Sequence, residues 1–106
     1  MKKINVLGSE YEIEYKELGD GEIDGYCDHT AKHIVMRSDN INDLENFEWN
    51  QKKQLRHEII HAFLHESGLS SNFEHHTKWG HEETMVDWIA IQFPKLLEAF
   101  KEADAL

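Results

Sequence analysis

The stretch from Leu55 to Leu69 reads L-R-H-E-I-I-H-A-F-L-H-E-S-G-L, and three of its side chains have the spacing for metal chemistry. His57-Glu58-Ile59-Ile60-His61 is a complete H-E-x-x-H. On a helix, positions i and i+4 share a face one turn apart, so His57 and His61 can direct two imidazoles at one ion. Glu58 lies about 100° round the helix from His57. That places it to reach a metal-bound water without being a ligand. The chemistry predicted is metal-assisted hydrolysis. Zinc lowers the pKa of its bound water to about 7 and polarises a carbonyl. Glu58 takes the proton as general base and hands it to the leaving amine.

H-E-x-x-H on a helix is the zinc pattern of metalloproteases. The surroundings are helical. Gln51 to Glu66 reads as one helix within 50–67, with Asn50 as N-cap and Gly68 as the C′ residue. Leu55, Ile59, Ile60, Ala62, Phe63 and Leu64 spread apolar character over several faces, which predicts a buried central helix. A catalytic zinc takes three protein ligands and keeps a fourth position for water. The motif supplies two. Candidates for the third are His75, His76, His81, Glu82, Glu83 and Asp87.

Other elements must hold this helix in place. Ile4 and Val6, then Tyr11, Ile13 and Tyr15 set against Glu10, Glu12, Glu14 and Lys16, alternate with period two. That predicts a hairpin over roughly 3–8 and 10–17, turning at Gly8-Ser9. Tyr26-Cys27-Asp28 and His33-Ile34-Val35-Met36 read as short strands, and Asn42 as a cap for a short helical turn or a lead-in to the central helix. Residues 81–103 read as a second helix, with Met85, Val86, Ile89, Phe93, Leu96, Leu97 and Phe100 at helical spacing. Pro94 predicts a kink or a new helix start. Strands over 1–40 followed by helices predict one α+β domain over 1–106: a small antiparallel sheet with helices on one face.

Composition narrows the partners. The net charge of −10 in 106 residues excludes a general nucleic-acid or anionic-membrane binder, which needs a basic surplus. No apolar run approaches a membrane span, and the start has no h-region of a signal peptide. Cys27 is the sole cysteine, so no internal disulfide forms, which fits a reducing cytoplasm. Cys27 has no adjacent basic residue to activate it. Cys27, Trp49, Trp79 and Trp88 read as packing residues. His65 and His76 are candidates for an oxyanion donor beside the metal. His65 reads equally as a surface residue near the helix C-terminus, where positive charge is favoured.

H-E-x-x-H followed by Glu83-Thr84-Met85-Val86-Asp87-Trp88-Ile89-Ala90 resembles the ImmA/IrrE-type zincins of phages and mobile elements. In that family a helical E-x-x-A-[N/D]-x-F-A signature follows the first motif. The resemblance implies that Glu83 is the metal-binding Glu, with Val86 on the small position, Asp87 on the Asn/Asp and Ala90 on the final Ala. It also implies a minimal zincin-like fold and a zinc-dependent peptidase, acting on a peptide or protein substrate. The helical wheel keeps Glu82 open as a rival, because Glu82 sits nearer the middle of the apolar face. Three further readings follow from position. Glu83 lies in the first turn, where the helix dipole favours a carboxylate. Ala90 is small enough for close helix approach. Asp87 is placed to accept a ligand histidine's other N–H, and reads equally as a surface helix carboxylate. The strand pair over 26–36 offers an edge for an extended peptide, by analogy with the fold.

Two functions compete on these residues. One is a cytoplasmic zinc metallopeptidase; the other is a non-catalytic, zinc-stabilised interaction module of a phage or mobile element. The short chain favours the second; the intact Glu58 favours the first, because a structural zinc site needs no base and closes its fourth position with Cys or His. The third-ligand expectation is directly testable. Zinc affinity should fall most in Glu83→Gln, less in Glu82→Gln and His81→Ala. Unchanged affinity in Glu83→Gln with a large loss in Glu82→Gln would mean a helix rotated by about 100°.

Overall fold

The fold is taken from a computed structural model that describes residues 1–69 and 83–106; the side chains of residues 83, 84, 86, 87 and 90 lie outside the described set. The N-terminal half forms strands β1 (Lys2–Val6), β2 (Ser9–Lys16), β3 (Gly25–Asp28) and β4 (His33–Arg37). Two helices follow, α1 (Phe47–Glu66) and α2 (Glu83–Glu102). The α+β expectation holds.

Period-two alternation explains the sheet's buried face. Ile4 and Val6 of β1, Tyr11 and Ile13 of β2, and Ile34 and Met36 of β4 enter the core. They meet Leu55, Ile59, Ala62 and Phe63 of α1, and Leu96 and Ala99 of α2. Burying each Leu, Ile or Phe in such a layer contributes about 1.5–3 kcal/mol. The predicted hairpin is present with its turn one residue earlier. Leu7 and Gly8, at φ +50° and +94°, form the two-residue loop, and Val6 faces Ser9.

The antiparallel sheet is a correction. Strand order is β1-β2-β4-β3, and β2 pairs with β4 in parallel, Glu12 against His33 through Lys16 against Arg37. Parallel neighbours need the chain carried back to the far end of the sheet. Here the loop after β2 and the antiparallel strand β3 make that return, and β3 comes to rest on the outer edge. Side-chain alternation reports which face is buried, not which strand is the neighbour, so this pairing was invisible in the pattern.

Buried Arg37 secures the crossover. Its guanidinium donates to the carbonyls of Leu18 and Ile23, at 2.7 Å for the Ile23 bond from Nη2. It also meets the Asp39 carboxylate at 3.3 Å. The loop from Glu17 to Asp24 is thereby tied to β4, and Gln51 Nε2 adds α1 by donating to the Arg37 carbonyl at 2.8 Å.

Helix α1 begins four residues before the predicted start. Asn46 is the N-cap in place of Asn50, and its Oδ1 accepts the Trp49 N–H at 3.1 Å. A side-chain cap competes equally well at either asparagine in the sequence; the one that won lets Phe47 and Glu48 join the helix. Gly68, at φ +81°, ends it as expected. The helix is not buried all round. Leu55, Glu58, Ile59, Ala62 and Phe63 are buried, whereas His57, Ile60 and His61 are exposed. Pro94 lies inside α2, which runs through it as one helix. Trp88 packs against the core and donates from Nε1 to Ser67 Oγ at 3.2 Å. Trp49 corrects its packing assignment: it is 58% exposed, with Lys53 Nζ 5.5 Å from its ring centroid.

The C-terminal end of α1 is fixed to the sheet through Glu66. Its carboxylate accepts from Ser9 Oγ at 2.7 Å, from Tyr11 OH at 2.7 Å and from Lys32 Nζ at 2.6 Å. Lys32 and these hydroxyls hold the carboxyl down to about 2, from an ordinary 4.5. A depressed carboxyl stabilises the fold above its unfolded value and loses that contribution as pH falls through the folded value. Glu66→Gln is therefore expected to cost about 1–3 kcal/mol at pH 7. The difference from wild type should shrink as pH falls from 4.5 toward 2, as urea unfolding at each pH would show.

Candidate metal centre

The rotation of α1 decides the site. At about 100° per residue, Leu55, Ile59, Ala62 and Phe63 occupy one sector of the helix. They are the residues buried against the sheet. Gln54, His57, His61 and His65 then fall together in an adjacent sector about 80° wide, and Glu58 falls on the boundary between the two. All five of these side chains line one cleft of about 590 Å³. Its opposite wall is Glu22, Ile23 and Asp24 of the Arg37-bound loop and Gly25, Tyr26 and Cys27 of β3.

Within the cleft, His57, Glu58 and His61 bring one ligand atom each to within 4.8 Å of one another. The two Nε2 atoms are 3.1 Å apart and the rings are inclined at 75°. A fit to a metal follows from that separation. Two nitrogens so spaced, each about 2.0–2.1 Å from a shared zinc, subtend about 98° at the ion, near the tetrahedral value. The same separation is hydrogen-bond distance, with the donor set by which ring carries the Nε2 proton. Glu58 is only 4% exposed, and Gln54 Nε2 donates to its Oε2 at 2.6 Å. The expected arrangement of two accessible imidazoles with a carboxylate beside them is therefore present; the expectation that all three are buried applies to Glu58 alone.

The remaining candidates divide by position. Glu83 opens α2, and its side chain and that of Asp87 lie outside the described residues, as do His75, His76, His81, Glu82 and Trp79. Among the described residues, no further histidine, cysteine or carboxylate joins the group of three. His65 lies in the cleft and stacks on His29 of the β3–β4 turn, with ring centroids 3.9 Å apart and 7° between planes. Burial, with His29 and His61 nearby, favours its neutral form. Cys27 packs against the core. Burial, followed by the Glu58 and Asp28 carboxylates, pushes its thiol up to about 12. It is a poor nucleophile, as its lack of a basic neighbour predicts.

The cleft wall contributes backbone as well. Arg37 N–H donates to the Asp24 carbonyl at 2.9 Å, so Asp24 and Arg37 form a hydrogen-bonded antiparallel pair. Alternation then turns the N–H and C=O of Gly25 and Cys27 away from β4, toward the edge of the sheet that no other strand covers among the described residues. A Cβ on Gly25 would lie 2.8 Å from the Val35 carbonyl, so only glycine fits there. Sequence reading missed Gln54, although its position four residues before Glu58 was a usable signal. It also missed the cleft-lining role of the loop before β3, which follows from the parallel pairing.

No protein-family profile, curated protein or solved structure matches the chain. The site therefore stands on its geometry. The purified protein is expected to retain about one zinc per chain after dialysis at neutral pH, measured by elemental analysis. His57→Ala should lower zinc affinity by at least about 100-fold, more than loss of a supporting partner costs. Metal-free protein, together with His57→Ala as stable as wild type, contradicts the centre.

Proposed function

We propose that this chain is a zinc-dependent metallopeptidase, in which His57 and His61 hold the metal, Glu83 is the third ligand and Glu58 is the general base. The observation that carries the reading is the convergence of the two Nε2 atoms, 3.1 Å apart, beside a buried carboxylate in an open cleft. When bound, zinc supplies an acidified water and a polarised carbonyl. The chain's own residues do the rest. Glu58 accepts the water's proton and returns it to the departing amine. The outward N–H and C=O groups of Gly25 and Cys27 offer a ladder on which an extended peptide can align past the histidines. The cleft supports this substrate class because it is a trough flanked by a strand edge.

The resemblance to ImmA/IrrE-type zincins supports the same reading through Glu83 and Asp87 of α2. A phage or mobile-element setting is part of the proposal. So is a cytoplasmic location, for which the unpaired Cys27 is the argument. Among the described residues, no helix is long and apolar enough to cross a membrane. The rival reading, a zinc-stabilised interaction module, needs a protein ligand in the fourth position, where the peptidase reading leaves water.

Glu58→Gln separates base from ligand. It is expected to keep its fold and its zinc while hydrolysis of a fluorogenic peptide library falls by about 10²–10⁴-fold. If it loses zinc as fully as His61→Ala does, Glu58 is a ligand and the proposed mechanism is wrong.

A further inference from the structure

We infer that Gln54 is the positioning residue for the Glu58 carboxylate, an inference that rests on the hydrolase reading and assigns a role to a side chain outside the H-E-x-x-H motif. Gln54 sits one turn before Glu58 on the same rigid helix and lines the same cleft. Its Nε2 donates to Glu58 Oε2 at 2.6 Å, and among the described residues it is the hydrogen-bond partner of that carboxylate. An amide N–H can only donate, so Gln54 takes an acceptor site of Oε2 and leaves Oε1 without a partner among the described residues. The consequence is orientational. The terminal torsion of a glutamate is broad and poorly fixed by its own chain. A base that must meet one water cannot tolerate that freedom, since a misplacement of about 1 Å costs on the order of 10²-fold in rate. Burial adds a second demand: at 4% exposure, Glu58 has little access to solvent, so a protein donor must replace the lost water. Gln54 meets both demands from a helix position that does not move relative to Glu58.

The test uses the zinc-loaded full chain and acetohydroxamate, a metal-chelating probe whose acidic proton is taken up by a carboxylate beside the metal. Two quantities are measured for wild type, Gln54→Met, Glu58→Gln and the double variant: zinc affinity by chelator competition, and the hydroxamate dissociation constant. Gln54→Met keeps the length and helix preference of the side chain but removes the donor. It is expected to hold zinc within about threefold of wild type and to bind hydroxamate about tenfold more weakly. The double variant should bind hydroxamate no more weakly than Glu58→Gln alone, because Gln54 acts only through Glu58. Gln54→Ala, with the highest helix propensity, checks that the thioether itself is not the cause.

Unchanged hydroxamate affinity in Gln54→Met overturns the inference. So does an additive loss in the double variant, a parallel loss of zinc, or unfolding of both Gln54 variants, each of which makes Gln54 something other than a positioning residue. If wild type holds neither zinc nor hydroxamate, the hydrolase reading falls and the inference with it. If wild type holds both and Gln54→Met matches it, the inference alone falls.

Discussion

Everything at the candidate centre depends on how α1 is rotated against the sheet. Leu55, Ile59, Ala62 and Phe63 bury one sector of the helix against Ile4, Val6, Tyr11, Ile13, Ile34 and Met36. Once that sector is committed, helical geometry leaves no choice about the next one. His57 and His61 emerge beside the open edge of the sheet, and Glu58 lies on the seam between core and cleft. A rotation of about 100° toward the cleft would bury His61 and His65 and expose Phe63. The hydrophobic contact and the metal geometry are thus one constraint, read on two sides of the same helix.

Two polar anchors hold that rotation. Glu66 ties the end of α1 to Ser9, Tyr11 and Lys32. Arg37, with 2% exposure, gathers the carbonyls of Leu18 and Ile23 and the Asp39 carboxylate, while its own carbonyl accepts from Gln51. A guanidinium has five donors in a planar fork, so one buried arginine can satisfy a whole turning loop. That loop supplies Glu22, Ile23 and Asp24 to the cleft. The crossover that makes the sheet mixed is therefore also what builds the wall facing the histidines.

Much of this was legible in the sequence because it depends on short-range periodicity. The strands, the two helices, the buried alternate residues of β2 and the shared face of His57 and His61 all follow from repeats of two or 3.6 residues. What was hidden depends on long-range choice. The parallel pairing of β2 with β4 is set by the path of the loop after β2 and its Arg37 anchor, neither of which leaves a periodic trace. Asn46 and Asn50 are chemically equal caps, so the helix start was decided by local geometry. Gln54 lies in a region rich in polar residues and gains meaning only from its bond to Glu58. Glu83 is the third ligand only in the proposal, because its side chain lies outside the described residues.

In the proposed centre, two imidazoles and one carboxylate hold zinc, with a position left for water. X-ray absorption at the zinc edge of the metal-loaded protein tests this most directly. The expected result is a shell of nitrogen and oxygen at about 2.0–2.1 Å, with the multiple-scattering signature of two imidazoles and no sulfur. A sulfur shell at about 2.3 Å, or a zinc surrounded by oxygen without imidazole, would contradict it.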